Sequence, residues 1–185
     1  MAQIEGFTRF SARRADLTPL ALPYEKLATD TTIIKKGHPV VLYSGNLVRR
    51  ILLVSGSAFP ASGKILGFSA EDEQAVTSAE YGNQFAMMPK IKRPSGREEI
   101  KVFVADGVTI FQAAVRSGQA ATTGLIGTNV GLSYDPVRDQ FSVDTNQTTY
   151  PVITVINIVP KEEGAVTGRV DFVIANTRSQ YLTGL

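Results

Sequence analysis

The chain contains no cysteine and no tryptophan, and His38 is its only histidine. That inventory excludes disulfide frameworks, thiolate zinc sites, iron–sulfur clusters, cysteine nucleophiles and histidine-centred triads, apart from what one imidazole can do. An excess of one charge is also missing. Nineteen Lys and Arg stand against 17 Asp and Glu, a net charge of +2. Attraction to polyanions is therefore not the default, and no specific nucleic-acid partner is expected. No run approaches the roughly 18 consecutive apolar residues that a membrane-crossing helix needs. The opening Met1-Ala2-Gln3-Ile4-Glu5-Gly6 lacks the charged and apolar regions of a signal peptide. No membrane partner and no cofactor are expected.

What is present points to strands. The 185 residues are 43% hydrophobic and 19% charged, which suits a folded domain and not wholesale disorder. Val and Ile together outnumber Leu by more than two to one, and β-branched side chains fit a pleated surface best. The 16 Gly and 9 Pro are scattered along the chain as turn punctuation. The expectation is an all-β fold: a small antiparallel β-barrel or sandwich with an extended N-terminal arm.

Residues 1–30 read as that arm. Apolar residues there are sparse, Pro19 and Pro23 favour extended backbone, and Phe7 and Phe10 are interleaved with Arg9, Arg13 and Arg14. A loose chain end is the plain alternative. The functional reading is an arm that orders on a neighbour, with the two aromatics as anchors and the arginines on carboxylates. Residues 31–185 read as the barrel domain. His38–Tyr43 is a strand opened by Pro39, Ser44-Gly45-Asn46 a turn, and Leu47–Val54 the return strand. Arg49 and Arg50 must then point to opposite sides, and at least one must reach solvent or a partner. Lys64–Ala70 is a further strand candidate.

Residues 81–99 form a long polar loop made basic by Lys90, Lys92, Arg93 and Arg97. It is either a solvated loop or a partner-facing one. The second half repeats the rhythm: Ile100–Val104 alternates cleanly, Asp106-Gly107 turns, and Val108–Ala113 continues. Asp135-Pro136 starts a turn, and Phe141–Asp144 returns from it. Pro151–Val159 reads as a central strand buried on both faces. Arg169–Ile174 closes the fold. This amounts to about seven to nine strands at barrel or sandwich spacing.

Familiar chemistry is not matched. In Gly56–Lys64 six residues separate the glycines and Ile65 follows the lysine, so the phosphate-loop pattern fails. Asp135, Asp139 and Asp144 are spaced wrongly for an EF-hand and read as turn caps. His38 reads as a half-exposed turn histidine. No catalytic and no metal-ligating residue is expected, and the chain is expected not to be an enzyme.

The segments Ile33–Tyr43, Gly63–Phe68, Lys101–Phe111, Gly127–Leu132, Phe141–Asp144 and Gly168–Ile174 together resemble the head decoration, or capsid cement, proteins of tailed bacteriophages. The resemblance covers about residues 31–175 and rests on turn patterns. It implies a β-barrel viral structural protein, a homotrimer on the outer surface of the virion, assembled in the host cytoplasm. Its partner would be the major capsid protein, whose lattice it cements. In that setting Phe7, Arg9, Phe10, Arg13 and Arg14 would be the capsid-binding arm. The competing expectation is a carbohydrate- or receptor-binding β-sandwich of a phage tail or fibre, presenting exposed tyrosines.

Overall fold

The computed structural model describes residues 11–13, 21–27, 32–51, 63–71 and 99–183. The fold is all-β, and its strands divide between two sheets. The first is a closed barrel of β2 (Ala21–Lys26), β3 (Pro39–Ser44), β4 (Leu47–Arg50), β5 (Gly67–Ser69) and β6 (Glu99–Val104), in the order β2-β4-β3-β5-β6. The second contains β1 (Ser11–Arg13), β7 (Ile110–Ala114), β8 (Asn129–Asp135), β9 (Gln140–Asp144), β10 (Ile153–Ile158) and β11 (Arg169–Ile174), in the order β1-β7-β11-β10-β8-β9. This second sheet curls until a bridge between Val115 and Val143 brings β9 beside the end of β7.

Alternation along each strand decides which side chains fill which interior. In β6, Ile100, Val102 and Val104 are buried with Ile34, Val40, Val48 and Leu66 as the first core. The second core gathers Phe111, Val130, Leu132, Val143, Ile153, Val170 and Phe172. Phe68 on β5 belongs to the second core although its strand is in the first barrel. It is 1% exposed, and its ring lies 4.7 Å from Phe111 and 6.0 Å from Phe172. A first-barrel side chain thus completes the second interior.

Two strands arise inside the stretch expected to be an arm. Ala21–Lys26 pairs antiparallel with β6 and parallel with β4, because Leu22 and Tyr24 find the first core to pack on. Ser11–Arg13 adds to the edge of β7, with Ser11 opposite Gln112 and Arg13 opposite Ile110. Strand β10 also differs from expectation. Its register slips between Val155 and Asn157, which ends the alternation and leaves Ile156 37% exposed. Its outer face is open, not buried.

After β11 the chain returns to the first barrel. Ile65 donates its N–H to the Arg178 carbonyl (2.7 Å) and accepts from the Gln180 N–H (2.9 Å). The Gln180 side chain bonds both the N–H (2.6 Å) and the carbonyl (3.1 Å) of Leu42. The Arg178 guanidinium bonds the carbonyls of Gly63 and Pro151, each at 3.1 Å. The C-terminal segment, ending in the short helix α1 (Gln180–Thr183), straps the two sheets together.

At Gly67 an added Cβ would collide with the Phe103 carbonyl, whose carbon lies 2.9 Å away. Gly67→Ala is therefore expected to force β5 from β6 and destabilise the fold by more than about 2 kcal/mol. Chemical denaturation of the variant checks this.

Candidate functional site

The richest polar cluster joins the two sheets. It is built on the turn between β8 and β9, where the Asp135 carboxylate accepts the N–H groups of Val137 (2.9 Å) and Arg138 (3.3 Å). That cap fixes the turn, and Asp139 closes it at a φ of 52°, a region that aspartate tolerates. The Asp139 carboxylate then meets first-barrel cations: Lys35 Nζ at 2.8 Å and the Arg50 guanidinium at 2.8 Å. The Tyr134 hydroxyl donates to it at 2.8 Å.

His38 lies beneath. Its Nδ1 accepts the Lys35 N–H at 3.1 Å, so the ring proton belongs on Nε2, which donates to the Asp139 carbonyl at 3.0 Å. Phe141 covers the imidazole edge-on, with centroids 5.5 Å apart. The imidazole is 3% exposed, so it is not the half-exposed histidine expected. The returning hairpin of the second sheet buries it. Arg50 is 7% exposed and stacks over Tyr134 (4.9 Å) and Phe141 (5.7 Å). Arg49 points the other way, exposed, over the Tyr43 ring at 5.2 Å. The opposite-sides expectation for the arginine pair is met.

Burial alone would raise the Asp139 pKa. The hydrogen bonds from Lys35 and Tyr134, with the charges of Arg50 and His38, outweigh it and bring the carboxyl down to about 2. Burial pushes the His38 pKa below its ordinary value of 6.5, with the Arg50 and Lys35 cations acting in the same direction. A carboxylate held so low is a weak proton acceptor, and both imidazole nitrogens are engaged. The chemistry of the cluster is that of a clasp.

Other ionisable groups are also spent on ties. Asp144, 1% exposed, receives Arg116 (2.8 Å), Gln119 (2.7 Å) and the Asn146 N–H (3.1 Å). Asp171 receives the side-chain amides of Gln112 (2.7 Å) and Asn157 (3.2 Å). Glu162 pairs with the Arg169 guanidinium and holds the Arg169 N–H at 2.7 Å. Of the aspartates read as turn caps, Asp135 is one, Asp144 is a cap whose buried carboxylate also pairs with the exposed Arg116, and Asp139 is the clasp. Among the described residues no three His, Asp or Glu side chains converge as a metal-binding group.

Of the residues singled out in the sequence, Arg13 ends β1 opposite Ile110. Phe7, Arg9, Phe10 and Arg14 lie outside the described residues, as do Lys90, Lys92, Arg93 and Arg97. Sequence reasoning missed Lys35, Tyr134 and Asp139 as partners. The available signal was Arg50, a strand arginine that had to find an acid somewhere.

Asp139→Ala leaves a buried guanidinium without this carboxylate and is expected to cost roughly 3 kcal/mol. Asp135→Ala removes an exposed side-chain cap of the turn and is expected to cost only about 1 kcal/mol. Urea titration of both variants checks the contrast. The pH dependence follows from the two shifts. A depressed histidine disfavours the folded state once the unfolded chain protonates, so stability falls as pH drops below about 6.5. The Asp139 contribution is complete above its ordinary 3.8 and is lost as pH falls through about 2. In His38→Gln the melting temperature is expected to hold steady from pH 7 to 5, where the wild type declines. In comparisons with known proteins, no family model and no curated protein matches this chain.

Proposed function

We propose that the chain is a non-enzymatic structural protein that binds the outer surface of a viral capsid as a homotrimer and stabilises the major capsid protein lattice. The observation that carries this reading is the use of the described ionisable groups. Asp139 ties the second sheet to Lys35 and Arg50 of the first, and Asp144, Glu162 and Asp171 are bound to cations or amides of other elements within the second sheet, a pattern that braces the body rather than serving a reaction. A cement protein needs stiffness and area. Threefold symmetry would multiply its lattice contacts, and linked contacts raise avidity by about 10²–10⁴-fold. The resemblance of residues 31–175 to phage decoration proteins supports the same reading. So does β1, which shows that N-terminal chain of this composition can add to a sheet edge. Glycan binding draws less support: Tyr134 is engaged by Asp139 and Phe141, and Tyr43 by Arg49.

The test is co-sedimentation with shells of its own major capsid protein, alongside sedimentation equilibrium of the free chain. The expected results are saturable binding and a mass three times that of the chain. Deleting residues 1–10, upstream of β1, is expected to leave the melting transition in place and weaken shell binding at least about tenfold, the loss of one linked contact. A full-length chain that ignores shells, or that binds a glycan array instead, overturns the reading.

A further inference from the structure

We infer that the chain contains one five-strand unit twice, at residues 21–105 and 110–175, and that residues 70–98 are an insertion into the first copy. The connectivity is the same in both. In each copy the first strand runs parallel to the third and antiparallel to the fifth. The second strand is antiparallel to the third and the fourth, and the fourth to the fifth. The first copy shows this as β2 with β4 and β6, β3 with β4 and β5, and β5 with β6. The second shows it as β7 with β9 and β11, β8 with β9 and β10, and β10 with β11.

The register agrees in every ladder, except that β3 and β4 slip between Leu42 and Ser44 where β8 and β9 run on without a slip. Lys26 is opposite Val48, and Val48 opposite Leu42. Val115 is opposite Val143, and Val143 opposite Leu132. Val40 faces Gly67, and Gly67 faces Val104, as Val130 faces Ile153, and Ile153 faces Ile174. Leu22 is opposite Val102, and Phe111 opposite Phe172. A one-residue slip between any of these pairs would break this chain of equivalences, because the side-chain period is 2; the slip in β3 lies beyond them.

Hydrogen bonds outside the ladders match as well. Leu66 N–H to the Val40 carbonyl and Val152 N–H to the Val130 carbonyl are both 2.9 Å. Gly37 donates to Ser69, and Gly127 to Val155, both at 2.8 Å. Ala105 donates to Leu66 (2.8 Å) and Ala175 to Val152 (2.9 Å). Leu27 donates to Val48 (2.8 Å) and Arg116 to Val143 (2.7 Å). Gly37 and Gly127 each enter the second strand of their copy from a left-handed φ, 84° and 81°.

Two further differences stand out. The first is β1, which has no counterpart in the first copy among the described residues. It sits on the edge of β7 at Gln112, and the matching position on β2 is Pro23. The N–H groups of Glu25 and Leu27 point toward the β4 side, so a residue at 23 would present its amide on that same edge. Proline has none to present. The second is the connection between the fourth and fifth strands. It is residues 70–98 in the first copy and only 159–168 in the second. The shorter connection shows that the unit closes without a long one, and the basic stretch 81–99 overlaps the longer one almost entirely.

The experiment replaces residues 70–98 of the full chain with Val159–Gly168. A second variant joins the same ends with a Gly/Ser linker of that shorter length. The expected result is a β-type circular dichroism spectrum and a single cooperative melt, within about 5 °C of the wild type, in at least one variant. Unfolding or loss of the cooperative transition in both overturns the inference. The readout is folding alone, so the outcome is independent of capsid binding.

Discussion

The body of the molecule depends on Phe68. Its strand is held in the first barrel by β3 and β6, while its ring fills the second interior between Phe111 and Phe172. Ile51, Ile65 and Ala105 of the first unit join the same core. A barrel of this size buries too little apolar surface to be more than marginal alone. Sharing a core removes that weakness without lengthening the chain.

The polar ties then fix how the units meet. Burial of apolar surface is non-directional, whereas the Asp139 carboxylate must satisfy Lys35, Arg50 and Tyr134 at once. The clasp works from the β8–β9 turn, and the C-terminal strap works through Arg178, Ser179 and Gln180. Ser179 is fully buried, and its hydroxyl bonds the Ala105 carbonyl. Aromatic wedge, ionic clasp and strap act at separate places, and together they make one stiff surface from two small sheets. That is the property on which the proposed structural role rests.

Much of the strand content was legible from period-2 patterns. Ile100–Val104, Phe141–Asp144 and Arg169–Ile174 alternate, and each is a strand. The Arg49-Arg50 pair divided between solvent and interior as adjacent strand residues must. Other features depend on partners far along the chain. Ala21–Lys26 has a proline and no apolar run, and it becomes a strand because β6 offers a ladder. The slip in β10 is set by pairing with β11, so Ile156 could not be placed outside from its own neighbours. Burial of His38 comes from Asp139 and Phe141, a hundred residues away. The two units share few residues at matched positions: Gly37 with Gly127, Val40 with Val130, Leu42 with Leu132, Val48 with Val143, and Ala105 with Ala175. Backbone register repeats while the side chains have diverged, so the repetition is visible in hydrogen bonds and not in letters.

The central claim is that two five-strand units form a single mechanical body. Differential scanning calorimetry of the intact chain tests it most directly. One transition, with calorimetric and van't Hoff enthalpies in agreement, is the predicted result. Two resolved transitions, one for each unit, would contradict it.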